Sequence, residues 1–276
     1  MELNLQHIAD FTLQLAQQAG ELIRTERQQA SFEHNYKSGH ELVTSTDLKA
    51  DQLIRSAIEQ AFPDHSILSE ESSPQLQDAA SLRKPLWIID PIDGTVNFAH
   101  DHYQVAVSIA FAVNGEVQVG VVHCPFLNET FHAIRGQHSR LNGKEIRVSG
   151  LEDFRKGLFA TGFPYRKDEL PVLIKRLQAV IREGQDIRRI GSAAVDICWV
   201  AMGRLDGYYE SLSPWDFAAA LLIAREAGAR CGHLNPPPED IPAELFGRDI
   251  LVTTPALYDK LHSLLQEADT STKQSG

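Results

Sequence analysis

A chain of 276 residues is longer than a single hydrophobic core usually supports, so one large domain or two closely packed ones are expected. A net charge of −11 argues against nucleic-acid binding through an extended basic surface and suits a protein that gathers carboxylates around cations. Three well-separated cysteines, Cys124, Cys198 and Cys231, predict reduced thiols, and no secretory leader or membrane-length apolar run is seen, so a soluble cytoplasmic protein is expected.

In chain order, Leu5, Ile8, Leu15, Ala16, Ala19 and Ile23 recur at helical spacing and predict an amphipathic helix over 4–28. Thr44, Ser45 and Thr46 offer N-caps for a second helix with Leu48, Leu53, Ile54, Ala57, Ile58 and Phe62 on its apolar face, ended by Pro63 and Asp64. "SILSEES" reads as a short strand running into acid. The apolar opening of "WIIDPIDGT" (87–95) reads as a buried strand with Asp90 and Asp93 at its end. "VAVSIAFAV" and "EVQVGVVH" flank Asn114-Gly115, a strong hairpin signal, and "TFHAI" with Asn142-Gly143 extends an antiparallel sheet. Beyond residue 150 the rhythm changes. "GLFATGF" and "GYYES" predict strands, and 170–183, 191–202 and 215–227 predict helices, an α/β alternation. The expected organisation is an α+β half over 1–148 and an α/β half over 149–276, closing in a disordered "DTSTKQSG" tail.

Acidic residues stand at element ends: Asp47 at a helix start, Glu70-Glu71 after a strand, the Asp90/Asp93 pair, and Asp216 in "SPWDFAAALL". Burying two carboxylates side by side is costly unless a cation lies between them, and carboxylates are the preferred ligands of hard cations such as Mg²⁺ and Mn²⁺. The proline between the pair restrains the backbone, so both side chains and the Ile92 carbonyl can converge on ions. Gly94-Thr95 can then open a turn whose free N–H groups bind phosphate. That combination suits metal-assisted hydrolysis of a phosphate ester. Each piece has a plainer reading: Asp47 or Asp216 alone is a helix cap, Glu70-Glu71 a solvated turn, D-x-x-D-G a turn, and His100 with His102 polar surface.

"WIIDPIDGTVNFAH" resembles the central motif of the inositol monophosphatase family, the Mg²⁺-dependent, lithium-sensitive phosphomonoesterases. "ELVTSTDLKAD", "ILSEES", "IGSAAVDICWVAMGRLDGYYE" and "SPWDFAAALLIAREAGA" resemble its other motifs, in the family's order, over residues 10 to 255. The resemblance implies a layered α-β-α-β-α sandwich of the inositol monophosphatase and sugar phosphatase type, commonly homodimeric. It implies two or three Mg²⁺ ions, with Mn²⁺ as a substitute, on Glu70, Asp90, the Ile92 carbonyl, Asp93 and Asp216. Asp47 and Thr95 would orient or deprotonate the attacking water near Glu70. The amides of Gly94 and Thr95 would hold phosphate, and Gly191, Ser192, Ala193 and Glu210 would contact the alcohol part of a small phosphomonoester. Inositol 1-phosphate is the first candidate, ahead of histidinol phosphate, a fructose bisphosphate or a nucleotide 3′-phosphate. A regulatory protein partner is a further expectation, since bacterial members are thought to moonlight in this way. The chain departs from the family pattern at His100-Asp101-His102 and in a Glu210–Asp216 interval one residue short, both expected around the substrate rim.

Overall fold

Helix α1 (Leu5–Gln28) begins where the Asn4 side chain accepts a hydrogen bond from the His7 amide, and it buries Ile8, Leu15, Ala16, Ala19 and Ile23 along one face. A hairpin of β1 (His34–Lys37) and β2 (Glu41–Thr44) leads into α2 (Ser45–Ala61), capped by Thr44. The computed structural model describes residues 4–29, 34–37, 41–73, 84–164 and 169–273.

Helices α1 and α2 cover one face of a seven-stranded sheet. Its strands, side by side in chain order, are β3 (Ser66–Ser69), β4 (Leu86–Asp93), β5 (Ala106–Val113), β6 (Glu116–Cys124), β7 (Glu129–Ile134), β8 (Arg140–Leu141) and β9 (Lys144–Glu145). The β3–β4 pair is parallel and the rest are antiparallel. Both predicted Asn-Gly turns are present: Asn114-Gly115 joins β5 to β6 and Asn142-Gly143 joins β8 to β9, each with two positive φ angles. A one-turn helix α3 (Thr95–Ala99) follows β4.

The second sheet holds β10 (Leu158–Thr161), β11 (Asp186–Arg188), β12 (Gly207–Glu210), β13 (Arg230–His233) and β14 (Ile250–Thr253) in the order β11-β10-β12-β14-β13. Helices α5 (Ala193–Ala201) and α6 (Pro214–Glu226) lie between the sheets, and α4 (Leu170–Glu183) and α7 (Tyr258–Lys273) cover the outer face of the second. The layers run α-β-α-β-α, as expected. Strand β4 is buried at all eight positions because α2 packs on one side and α6 on the other. That is why its residues read as a continuous apolar run instead of an alternation.

The helices at 4–28, 170–183, 191–202 and 215–227 form close to their expected bounds. Strands β1, β2, β11, β13 and β14 and helix α7 carried no prediction. The tail expectation is corrected: the chain continues α7 through Lys273. Asp269 is fixed there because Arg176 of α4, itself buried, donates to both its carboxylate oxygens (2.8 and 2.7 Å). The same guanidinium donates to Asp249 Oδ1 at 2.7 Å, tying α4 and α7 to the loop before β14. Residues 274–276 of that tail lie outside the described residues.

Helix α6 reaches the large sheet closely through Ala218, Ala219 and Ala220, all buried. Its approach needs a glycine opposite: a Cβ on Gly120 of β6 would stand 2.6 Å from the Ala219 carbonyl oxygen. Gly120→Val is therefore expected to force the helix off the sheet and to cost about 1–3 kcal/mol, the range for overpacking a close-packed core. A denaturant midpoint unchanged from wild type would contradict that packing.

Candidate metal centre and active site

Residues three apart on a regular strand face opposite sides of the sheet. Asp90 and Asp93 escape this because the pairing of β4 with β5 shifts register between them. Their carboxylates meet that of Asp216, one oxygen from each lying within 4.8 Å of the others. The Ile92 amide donates to Asp90 Oδ1 (2.9 Å). Asp93 Oδ2 accepts from the Ser192 hydroxyl (2.6 Å) and the Ala194 amide (2.7 Å), both at the start of α5. Asp216 also closes the capping box of α6, whose N-cap is Ser213, accepting from the Ser213 amide at 2.8 Å. The plainer reading of Asp216 thus holds together with its place in the cluster.

The same is true of Asp47. It closes the capping box of α2, with Oδ2 accepting from the Thr44 amide at 2.9 Å. Its other oxygen, Oδ1, accepts from the Thr95 hydroxyl at 2.8 Å. That hydroxyl also lies 3.1 Å from the Ile92 carbonyl oxygen. Thr95 is not the cap of α3; that position belongs to Gly94, whose φ of 97° a side chain would strain.

Burial pushes the Asp90 carboxyl well above the usual range, and the charges of Glu70, Asp93 and Asp216 add to it. Asp93 is pushed up to about 6 by burial, opposed by its bonds from Ser192 and α5 amides and by Arg189. Asp47 is raised by burial against the pull of Thr44 and Thr95. Glu210 is pushed up to about 7 by burial, opposed by the Tyr208 hydroxyl and Arg189.

Every predicted site residue except Asp47 lines one cavity of about 490 Å³: Glu70, Asp90, Ile92, Asp93, Gly94, Thr95, Gly191, Ser192, Ala193, Glu210 and Asp216. Asp47 stands behind the wall, 1% exposed, and reaches the cavity through Thr95. Sequence reasoning missed Asp196, Arg189 and Arg248, which share the wall. Asp196 had a usable signal, a single acid inside an apolar helix. His100, Asp101 and His102 are exposed and stand outside this cavity, where Asp101 pairs with Arg27 at 3.5 Å; the expectation that this departure sits at the rim is corrected. Ser211, Leu212 and Ser213, in the shortened interval, do line it.

A model of the inositol monophosphatase family matches residues 4–270. The chain belongs to the inositol monophosphatase family. Relatives include the Nus factor SuhB of Vibrio cholerae, 40% identical over 80% of this chain and 82% of that protein. The Nus factor SuhB of Escherichia coli K12 is 39% identical over 79% and 82%. Among solved structures, the extragenic suppressor protein suhB of Bartonella henselae superimposes with a TM-score of 0.85 at 30% identity, covering 94% of this chain and 98% of that one. The inositol monophosphatase of Anabaena gives a TM-score of 0.81 at 32% identity, over 96% and 97%. The family is metal-dependent, and the donor set here fits a hard divalent cation: carboxylate oxygens only, converging, and mutually repelling without a counter-charge. Among the described residues no helix is long and apolar enough to cross a membrane.

Raised carboxyl pKa values carry a sign. The folded state holds protons that the unfolded state has lost, so these groups cost no stability below the unfolded carboxyl value near 4, and the cost grows as pH rises through the folded value, about 6 for Asp93. Metal-free protein is therefore expected to melt at a higher temperature at about pH 4.5 than at about pH 7, and added Mg²⁺ to raise the melting temperature more at about pH 7. A Mg²⁺ increment independent of pH would contradict the convergence of these acids.

Proposed function

We propose that this chain is a cytoplasmic Mg²⁺-dependent phosphomonoesterase acting on a small polyol or sugar monophosphate, with inositol 1-phosphate as the first candidate. The observation that carries the reading is the meeting of the Asp90–Asp93–Asp216 cluster with the Thr95–Asp47 pair on one cavity wall. Glu70, Asp90, the Ile92 carbonyl, Asp93 and Asp216 would hold two or three ions, Mg²⁺ or in its place Mn²⁺. Bound there, the ions neutralise phosphate charge and lower the pKa of water.

The chain's own part is positioning and proton transfer. The Thr95 hydroxyl donates to Asp47 Oδ1, which leaves its oxygen lone pairs to accept a proton from the attacking water. Asp47, raised by burial, is the terminal acceptor of that short relay. The amides of Gly94 and Thr95 hold the phosphate. Gly191, Ser192, Ala193 and Glu210 contact the alcohol portion.

Asp93→Asn is expected to abolish most turnover while the protein stays folded. Thr95→Ala is expected to lower kcat by about 10²–10⁴-fold with little change in KM, and Thr95→Ser to restore most of the loss. Li⁺ is expected to inhibit uncompetitively, as in the lithium-sensitive members. Unchanged kcat in Thr95→Ala would overturn the relay, and full activity in Asp93→Asn the metal assignment.

A second reading is favoured by the relatives called Nus factor: a regulatory role through a protein partner. Asp93→Asn separates the two, since a cellular role carried by protein contact survives that substitution and one carried by phosphate release does not.

We also infer a homodimer. Helix α4 exposes Leu170, Ile174 and Ile181 along one stripe and packs on β11, the edge strand of its sheet. Two copies of Asp186-Ile187-Arg188 set antiparallel about Ile187 place each aspartate opposite the other copy's arginine. Light scattering is expected to give twice the chain mass for the wild type and monomer for Ile174→Glu.

A further inference from the structure

Asp196 lies one turn into α5, a helix whose other residues are apolar. It is 2% exposed and belongs to the cavity wall, yet its Oδ1 has no hydrogen-bond partner among the described residues. A buried carboxylate oxygen without a donor is costly, so native proteins rarely leave one without a reason.

Two neighbouring hydroxyls are engaged elsewhere, and Arg189 acts on Asp196 through its charge without a hydrogen bond to it. The Ser192 hydroxyl is given to Asp93 at 2.6 Å. The Tyr208 hydroxyl is given to Glu210. The Arg189 guanidinium lies against Gly191, where a Cβ would stand 2.6 Å from Nη1. Glu210, the next carboxylate on the wall, repels Asp196 and adds to the effect of burial in holding its carboxyl high. Asp196, beside Glu210 and without a hydrogen-bond donor of its own among the described residues, is complementary to a ligand that brings hydroxyl donors.

We propose that Asp196 is a specificity-determining residue of this cavity, its carboxylate accepting a hydroxyl from the alcohol portion of the substrate beside Glu210. The proposal rests on the phosphomonoesterase reading and adds to it a requirement: the alcohol portion carries hydroxyls beyond the esterified one. A purely structural Asp196, one that only favours the positive end of α5, would leave discrimination between alcohol portions unchanged.

The test compares inositol 1-phosphate with p-nitrophenyl phosphate, whose alcohol portion has no free hydroxyl, in wild type, Asp196→Ala and Asp196→Asn. In Asp196→Ala the ratio of kcat/KM for inositol 1-phosphate to that for p-nitrophenyl phosphate is expected to fall about 10- to 100-fold, the effect of one hydrogen bond to a charged group, and to fall through KM. Asp196→Asn keeps the shape and an uncharged acceptor, so it is expected to lose less and to melt near the wild-type temperature. A ratio unchanged in both variants, or a loss shared equally by the two substrates, overturns the proposal. Wild-type protein that turns over neither substrate overturns the phosphatase reading instead. In that event calorimetry with inositol 1-phosphate decides on Asp196: weaker binding by Asp196→Ala supports its role, and equal affinity, or no binding by wild type, removes it.

Discussion

Like charges brought together out of water repel, and this structure spends much of its architecture on holding several of them in place. Asp90, Asp93 and Asp216 converge within 4.8 Å, and Glu70 adds its charge to theirs. Each acid is anchored by backbone amides or a hydroxyl: the Ile92 amide for Asp90, Ser192 and the Ala194 amide for Asp93, the Ser213 amide for Asp216. Backbone amides carry only partial charge, so they orient a carboxylate without neutralising it. These donors add no full positive charge, which leaves that part to a cation.

The anchoring also explains why the fold has two sheets. Asp90 and Asp93 come from the large sheet, whereas the donors to Asp93 come from the start of α5, sandwiched between it and the small one. The Asp93–Ser192 bond closes the junction. The helix starts of α2 and α6 each lend an acid that closes a capping box and also serves the site, Asp47 through Thr95 and Asp216 through the carboxylate cluster. Close seating of α6 on β6, with glycine facing alanines, keeps Asp216 at the right depth.

The legible parts of the site are local ones. An apolar run ending in D-P-I-D-G announces buried acids, and Asn-Gly pairs announce hairpins, because each signal lies within a few residues. Asp47 and Asp216 read equally well as caps, and nothing local says that two caps 169 positions apart meet around one cavity (216 minus 47). The register shift that turns Asp90 and Asp93 to the same side depends on β5 and is invisible from β4 alone. Strands β11, β13 and β14 are not legible in the sequence because they have three or four residues each, too few for a period to emerge. Asp269 looked like the start of a loose tail because its partner Arg176 lies 93 residues earlier.

That last pair has a consequence for how the protein comes into being. Arg176 holds Asp249 with one arm and Asp269 with the other, and Gly247 and Arg248, next to Asp249, form part of the cavity wall. During synthesis the first sheet and its acids emerge long before the helix that completes this clamp. The wall is therefore secured only after α7 has left the ribosome. A nascent chain carries the acids of its future site without the enclosure that makes them selective.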